Sequence, residues 1–298
     1  METDRKGIIL AGGTGSRLFP VTLGISKQLL PIYDKPMIYY SISTLMLSGI
    51  REILIICTPF DLERFKELLG DGSLWGISLK YSIQEKPEGI AQAFKIAEPI
   101  FSGKNVALAL GDNLFYGNDL TKYLLRATNS LNKATIFAYR VSDPERYGVV
   151  NWRKKSNGEN KVISIEEKPI KPKSNYAVTG LYFYDSEVFD YAKQISPSKR
   201  GELEITDINN IYLKKENLNV ELLSRGLAWL DTGTFDSLLQ AGNFISMLEK
   251  RQGLKISCPE EVAWRKGWIS SQKLYDISYS SIKSGYGLYL RNLLEDQK

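Results

Sequence analysis

The sequence predicts an α/β fold built on a mainly parallel sheet, from three observations. Short apolar runs alternate with helix-length segments through the first half. A glycine-rich loop directly follows the first apolar run. No linker, repeat or low-complexity tract divides the chain. Alternation at this rhythm implies βαβ units, with helices packed on both faces of the sheet.

Taken in order, residues 7–11 form a short apolar run ending in glycines, the pattern of a buried strand. Residues 36–49 have helix length and apolar spacing, with Gly49 as the stop. Glu52–Cys57 predicts a second buried strand. Residues 61–69 predict a helix with Asp61 as N-cap and Gly70 just beyond its end. Residues 79–84 alternate like a strand, 89–101 suit a helix, and 105–110 predict a third buried strand. The middle is β-rich: 134–140, 148–152, 161–166 and 177–184 read as strands, with 153–160 a polar hairpin loop. Helices dominate from about Gly233, over 233–248, 259–267 and 285–294. The expectation is one domain, 1–298, with a Rossmann-like mixed core over 1–240 and a helical C-terminal region over 241–298.

The 298 residues suffice for a large core, and a net charge of +5 is mild for that size. It suits an anionic small substrate and falls short of the dense basic stripe of a nucleic-acid binder. The chain has no histidine. That excludes Ser-His-Asp and Cys-His triads, His-liganded zinc and imidazole acid–base chemistry. Its two cysteines, Cys57 and Cys258, cannot build a disulfide framework and read as reduced, buried thiols. No apolar run approaches the ~18 residues of a membrane span. A soluble, cytoplasmic protein without membrane partners is expected.

The loop reads Leu10-Ala11-Gly12-Gly13-Thr14-Gly15-Ser16-Arg17-Leu18. Ligands of parallel α/β sheets sit off the carboxyl ends of strands, and glycines let a backbone approach phosphate closely. Leu18 stands where a dinucleotide fingerprint needs a third small residue, and no Gly-Lys-Ser/Thr follows for a P-loop. Arg17 and the downstream Ser26-Lys27-Gln28-Leu29-Leu30-Pro31 add two cations and the Gln28 amide beside the loop. Glycines, Arg17 and Lys27 together suit a triphosphate whose leaving group gathers negative charge.

With Lys35-Pro36-Met37-Ile38, this segment resembles the signature of the sugar-1-phosphate nucleotidylyltransferases. The resemblance runs along the whole chain, including Arg200-Gly201-Glu202-Leu203-Glu204-Ile205-Thr206-Asp207 and Pro259-Glu260-Glu261. It is strongest to the family's short bacterial thymidylyltransferases. It implies that Leu10, Gly12, Gly13, Thr14, Gly15 and Gln28 bind nucleotide, and that Arg17, Lys27 and Lys168 are catalytic. Gly111-Asp112-Asn113 closes a strand, as an ordinary Asp-Asn turn also would. By resemblance Asp112 binds nucleotide and Mg²⁺, and Asn113 borders the sugar. Asp231, in Trp229-Leu230-Asp231-Thr232-Gly233, could equally cap the following helix; the resemblance makes it the second Mg²⁺ ligand, with Trp229 on the sugar side.

In Glu166-Glu167-Lys168-Pro169, the resemblance puts Glu167 on sugar hydroxyls and Lys168 on the sugar phosphate. The same tripeptide recurs at Glu85-Lys86-Pro87, where Lys86 reads as a surface loop residue and Gln84, Pro87 and Gly89 resemble the base-recognition element. Tyr147, Gly148, Val178 and Gly180 would line the sugar pocket within the β-rich portion. The implied reaction joins dTTP and glucose 1-phosphate into dTDP-glucose and pyrophosphate, the entry to dTDP-sugar synthesis of the dTDP-rhamnose type. A homotetramer and inhibition by a dTDP-sugar at the C-terminal helices are also implied, without nucleic acid. A uridylyltransferase, and a non-catalytic nucleotide-sugar sensor on the same fold, stay open as alternatives.

Overall fold

The computed structural model describes residues 3–156, 158 and 160–295. Two tip residues of the expected 153–160 hairpin, Asn157 and Glu159, lie outside the described residues, as do residues 1–2 and 296–298 at the ends of the expected domain.

The first half runs β1 (Lys6–Ala11), a two-residue pair β2 (Pro31–Ile32) and β3 (Lys35–Pro36), α1 (Ile38–Leu47), β4 (Glu52–Cys57), α2 (Leu62–Leu69), β5 (Ser78–Ile83), α3 (Gln92–Phe101), β6 (Val106–Leu110), β7 (Asn113–Tyr116) and α4 (Leu120–Asn129). The second half runs β8 (Ala134–Arg140), β9 (Gly148–Lys154), β10 (Asn160–Glu167), β11 (Tyr176–Tyr184), α5 (Val188–Gln194), α6 (Ile205–Lys214), β12 (Leu218–Leu222) and β13 (Ala228–Asp231). It ends in α7 (Phe235–Gln252), α8 (Pro259–Arg265), α9 (Ser271–Ser280) and α10 (Gly285–Glu295).

The main sheet has the order β10-β9-β11-β6-β1-β4-β5, with β8 beside β11 and β12 beside β8. Its β6-β1-β4-β5 half is parallel, and it turns antiparallel where β11 joins β6. Side chains alternate across a strand, and both faces are buried. Ile9, Ile53 and Ile55 face a core with α1, α2, α4 and α8–α10, whereas Ile8, Leu54 and Ile56 face α3, α5 and α6. This two-sided burial is why those strands read as unbroken apolar runs.

The expected strands and helices of the first half form with shifts of a few residues, and Gly49 (φ 86°) and Gly70 (φ 59°) stop α1 and α2. One cap differs. Asp61 does not cap α2 with its side chain; its carboxylate instead accepts from the Ser26 N–H and the Thr58 hydroxyl, tying the α2 start to the segment after the glycine loop. Nor is Asp231 an N-cap: Thr234 begins α7 through a reciprocal capping box with Ser237. The expected hairpin loop is shorter than 153–160, because β9 continues to Lys154 and β10 starts at Asn160.

Candidate active site

The carboxyl ends of β1, β4, β5 and β6 lie side by side, and the glycine loop leaves β1 there. Gly15 takes a left-handed backbone (φ 61°) with Thr22 packed where a Cβ would stand, and the Thr22 hydroxyl donates to the Gly15 carbonyl at 3.0 Å. A larger residue would be both strained and clashing, so the turn that presents the loop N–H groups requires glycine. Arg17 follows, exposed, with its guanidinium over Gly233, where a Cβ would come within 2.7 Å of Nη2. The start of the chain thus reaches across the cleft to the β13–α7 loop.

Asp112 and Asp231 share that crossing. β13 pairs with β7 so that Asp231 sits opposite Asn113, and the Thr232 N–H and hydroxyl both donate to the Asp112 carbonyl. Burial works against ionisation of Asp112, but the ion pair with Lys27, with a further hydrogen bond from Asn113, holds its carboxyl below the usual range. Asp231 goes the other way. Burial and then the Asp112 charge push its carboxyl up, against the pull of Lys27, Arg17 and Arg146. Two half-buried carboxylates in mutual repulsion, free of nitrogen or sulfur ligands, form a donor set suited to a hard cation that also binds phosphate oxygens. Among the described residues no cluster of three or more acidic, Cys or His side chains exists that could hold a metal alone. The missing ligands would therefore come from substrate and water.

From this point a cavity of about 470 Å³ opens towards the β-rich portion. It gathers Arg17, Asp112, Asn113, Tyr147, Gly148, Glu167, Lys168, Val178, Gly180, Trp229 and Asp231 from five strands and four connecting segments. Lys168 is exposed in it and holds a left-handed backbone (φ 42°), sparsely populated for a non-glycine residue, with its N–H bonded to the Tyr147 carbonyl. Glu167 accepts from the Thr206 hydroxyl at 2.6 Å and lies 3.6 Å from Arg200. The Tyr147 and Trp229 rings meet edge to face at 5.2 Å.

Other expected residues lie beside the cavity. Leu10 lies in β1, and Gly12, Gly13 and Thr14 lie in the loop that follows it. Gln84 directly follows β5 and is 2% exposed, and its amide occupies the space over Gly12. Gly89 (φ 112°) packs against the Leu203 backbone, leaving no room for a side chain, and Pro87 and Lys86 are exposed in the same loop. Gln28 is buried: its amide oxygen accepts from the Ser26 hydroxyl and its side chain packs against Gly111, so it supports the loop from beneath. Asn113 is likewise committed to protein. Its Oδ1 accepts from the Gly180 N–H and the Trp229 indole N–H, and its Nδ2 donates to Asp112.

The cavity also contains residues given no role from sequence: Arg146, Arg200, Glu202, Glu204 and Thr206. Arg200 is clamped by Glu204, which takes bonds from both Nε and Nη2. The resemblance of 200–207 was the only signal, because nothing local tells that this loop folds back over Glu167.

The nucleotidyl transferase family model matches residues 6–247. Glucose-1-phosphate thymidylyltransferase of Neisseria meningitidis is 54% identical over 97% of this chain and 99% of its own. The enzyme of that name from Xanthomonas campestris is 55% identical over 98% of this chain and 97% of its own. A solved Bacillus anthracis structure assigned to the same enzyme, in complex with a sucrose, superposes with a TM-score of 0.73 at 45% identity, covering 80% of this chain and 94% of that one. Four-fifths of the sequence under one model, and relatives of matching length, establish that the chain belongs to the nucleotidyl transferase family.

Proposed function

We propose that this chain catalyses dTTP + glucose 1-phosphate ⇌ dTDP-glucose + pyrophosphate, the first step of dTDP-sugar synthesis of the dTDP-rhamnose type. The observation that carries it is the convergence of Arg17, the Asp112–Asp231 pair and Lys168 in one cleft between a glycine loop and a polar cavity. Near full-length relatives bearing that activity support it.

An oxygen of the sugar phosphate attacks the α-phosphorus of dTTP; the bond from that phosphorus to the bridging oxygen breaks, and pyrophosphate leaves with its electron pair. A phosphate monoester is mostly dianionic at neutral pH, so the nucleophile needs no general base. A chain without histidine can therefore run this reaction by positioning and charge stabilisation alone. Lys168 holds and aims the attacking phosphate, while Glu167, fixed by Thr206, takes sugar hydroxyls. Tyr147, Val178, Gly180 and Trp229 shape the sugar wall. Arg17, Lys27 and the loop N–H groups face the triphosphate. Mg²⁺ held by Asp112 and Asp231 would offset its charge. Gln84 and Gly89 border the base. The reaction belongs in the cytoplasm, where both substrates are made, and no helix among the described residues is long and apolar enough to cross a membrane.

The enzyme works as a homotetramer with a dTDP-sugar as feedback inhibitor. Three exposed apolar residues on one side of α7, Phe235, Leu239 one turn on and Met247 two turns beyond that, support subunit contact.

A pyrophosphate-release screen of four nucleoside triphosphates against a panel of sugar 1-phosphates tests the activity. Release is expected to be fastest with dTTP and glucose 1-phosphate. dUTP, which differs from dTTP by one methyl group alone, should trail by about 10–200-fold. No release with any pair would remove the proposal.

A further inference from the structure

The Gln84 amide can present either its oxygen or its NH₂ to a ligand, and local backbone does not choose between them. The choice is made one layer back. Gln92, in the first turn of α3, has its own amide fixed from two sides. Its Oε1 accepts from the Glu88 backbone N–H at 3.0 Å, and its Nε2 donates to the Glu88 carboxylate at 2.9 Å. A backbone N–H can only donate and a carboxylate can only accept, so the Gln92 orientation is not free. The same Gln92 Oε1 then faces the Gln84 Nε2 at 2.5 Å. Gln84 must turn its NH₂ to Gln92, which leaves its Oε1 over Gly12, with no donor to it among the described residues.

We infer that Gln92 is a specificity-determining positioning residue: it locks the Gln84 amide so that an acceptor, flanked by one remaining N–H, faces the nucleobase. This deepens the proposed function and rests on its placement of Gln84 at the base. An acceptor beside a donor complements a ring N–H beside a carbonyl, the edge shared by thymine and uracil. Cytosine carries an acceptor at the ring nitrogen and an amino group beside it, which matches the opposite amide orientation. The lock therefore selects imide pyrimidines over cytosine and is indifferent to the thymine methyl.

The experiment measures kcat and KM for dTTP and dCTP with wild type, Gln92→Ala, and the exchanged pair Glu88→Gln with Gln92→Glu. The exchanged pair keeps an acceptor facing Gln84 and a donor–acceptor contact between positions 88 and 92. In Gln92→Ala the dTTP:dCTP ratio of kcat/KM should fall about tenfold, the scale of one mispaired base contact. The loss should lie mainly in the KM for dTTP, with the KM for glucose 1-phosphate unmoved, and the exchanged pair should recover the ratio. Gln92→Met, which fills the space without an acceptor, takes the place of alanine if that variant unfolds. A folded variant whose ratio stays within about twofold of wild type, or an exchanged pair that fails to recover it, overturns the inference alone. Wild type that turns over no dTTP overturns the underlying function and the inference with it.

Discussion

Arg17 combines a motif position with a contact that no motif describes: its guanidinium fills the space over Gly233. Arg17→Ala should lower kcat by about 10³-fold, by analogy with other charge-stabilising arginines, while thermal denaturation and circular dichroism stay as in wild type. Turnover within about tenfold of wild type would take Arg17 out of the mechanism. On the proposed assignment of Lys168 to the sugar phosphate, Lys168→Ala should raise the KM for glucose 1-phosphate more than that for dTTP; equal effects on both would contradict that assignment. The cysteines make a contrasting prediction. Burial pushes the Cys57 thiol up from 9.0 to about 12, and burial, then Glu260, pushes Cys258 well above its usual range. Folded protein should show no thiol reactive towards Ellman's reagent at pH 8, and two after denaturation. A thiol pKa raised by folding stabilises fully below pH 9, and that stability is lost as pH rises towards 12. Residue identities in the cleft were legible because glycines, strand-end carboxylates and the Lys-Pro turn are local patterns. The fixed contacts of Asn113 were not, since its Oδ1 is taken by Gly180 and Trp229, both distant in sequence.

At the scale of elements, the buried strands and the glycine-stopped helices could be read directly, because two-sided burial and a positive-φ stop each leave a local trace. β7 and β13 could not. Each has four residues, and each makes sense only when paired with the other across the chain. Their ribbon carries Asn113 and Asp231, so the least legible elements hold part of the candidate site. α7 is anchored behind it by an ionic cluster. Glu249, 5% exposed, accepts from Lys35 at 3.1 Å, Lys255 at 2.7 Å and the Ile256 N–H. Removing one partner of a buried charge cluster strands the others, so Glu249→Ala should cost about 3 kcal/mol, read as a shifted midpoint in urea unfolding with little change in slope. An unchanged midpoint would show that Asp34 alone satisfies both lysines.

For the whole molecule, the main sheet carries a separate core on each face, with a third core under α7. The apolar stripe on α7 makes a prediction at this scale. If the proposed tetramer forms, Leu239→Asp with Met247→Asp should give smaller species by multi-angle light scattering, with the helical signal kept. A wild type already monomeric at micromolar concentration would refute the tetramer. The Arg17–Gly233 contact joins segments made early and late in synthesis. The glycine loop leaves the ribosome among the first residues, yet Asp231 and Gly233, which complete the cleft, emerge only after every strand of the main sheet. A nascent chain therefore carries its glycine loop for most of synthesis without the second carboxylate of the cleft. Chains released early, before β13, should be inert however well their first half has folded.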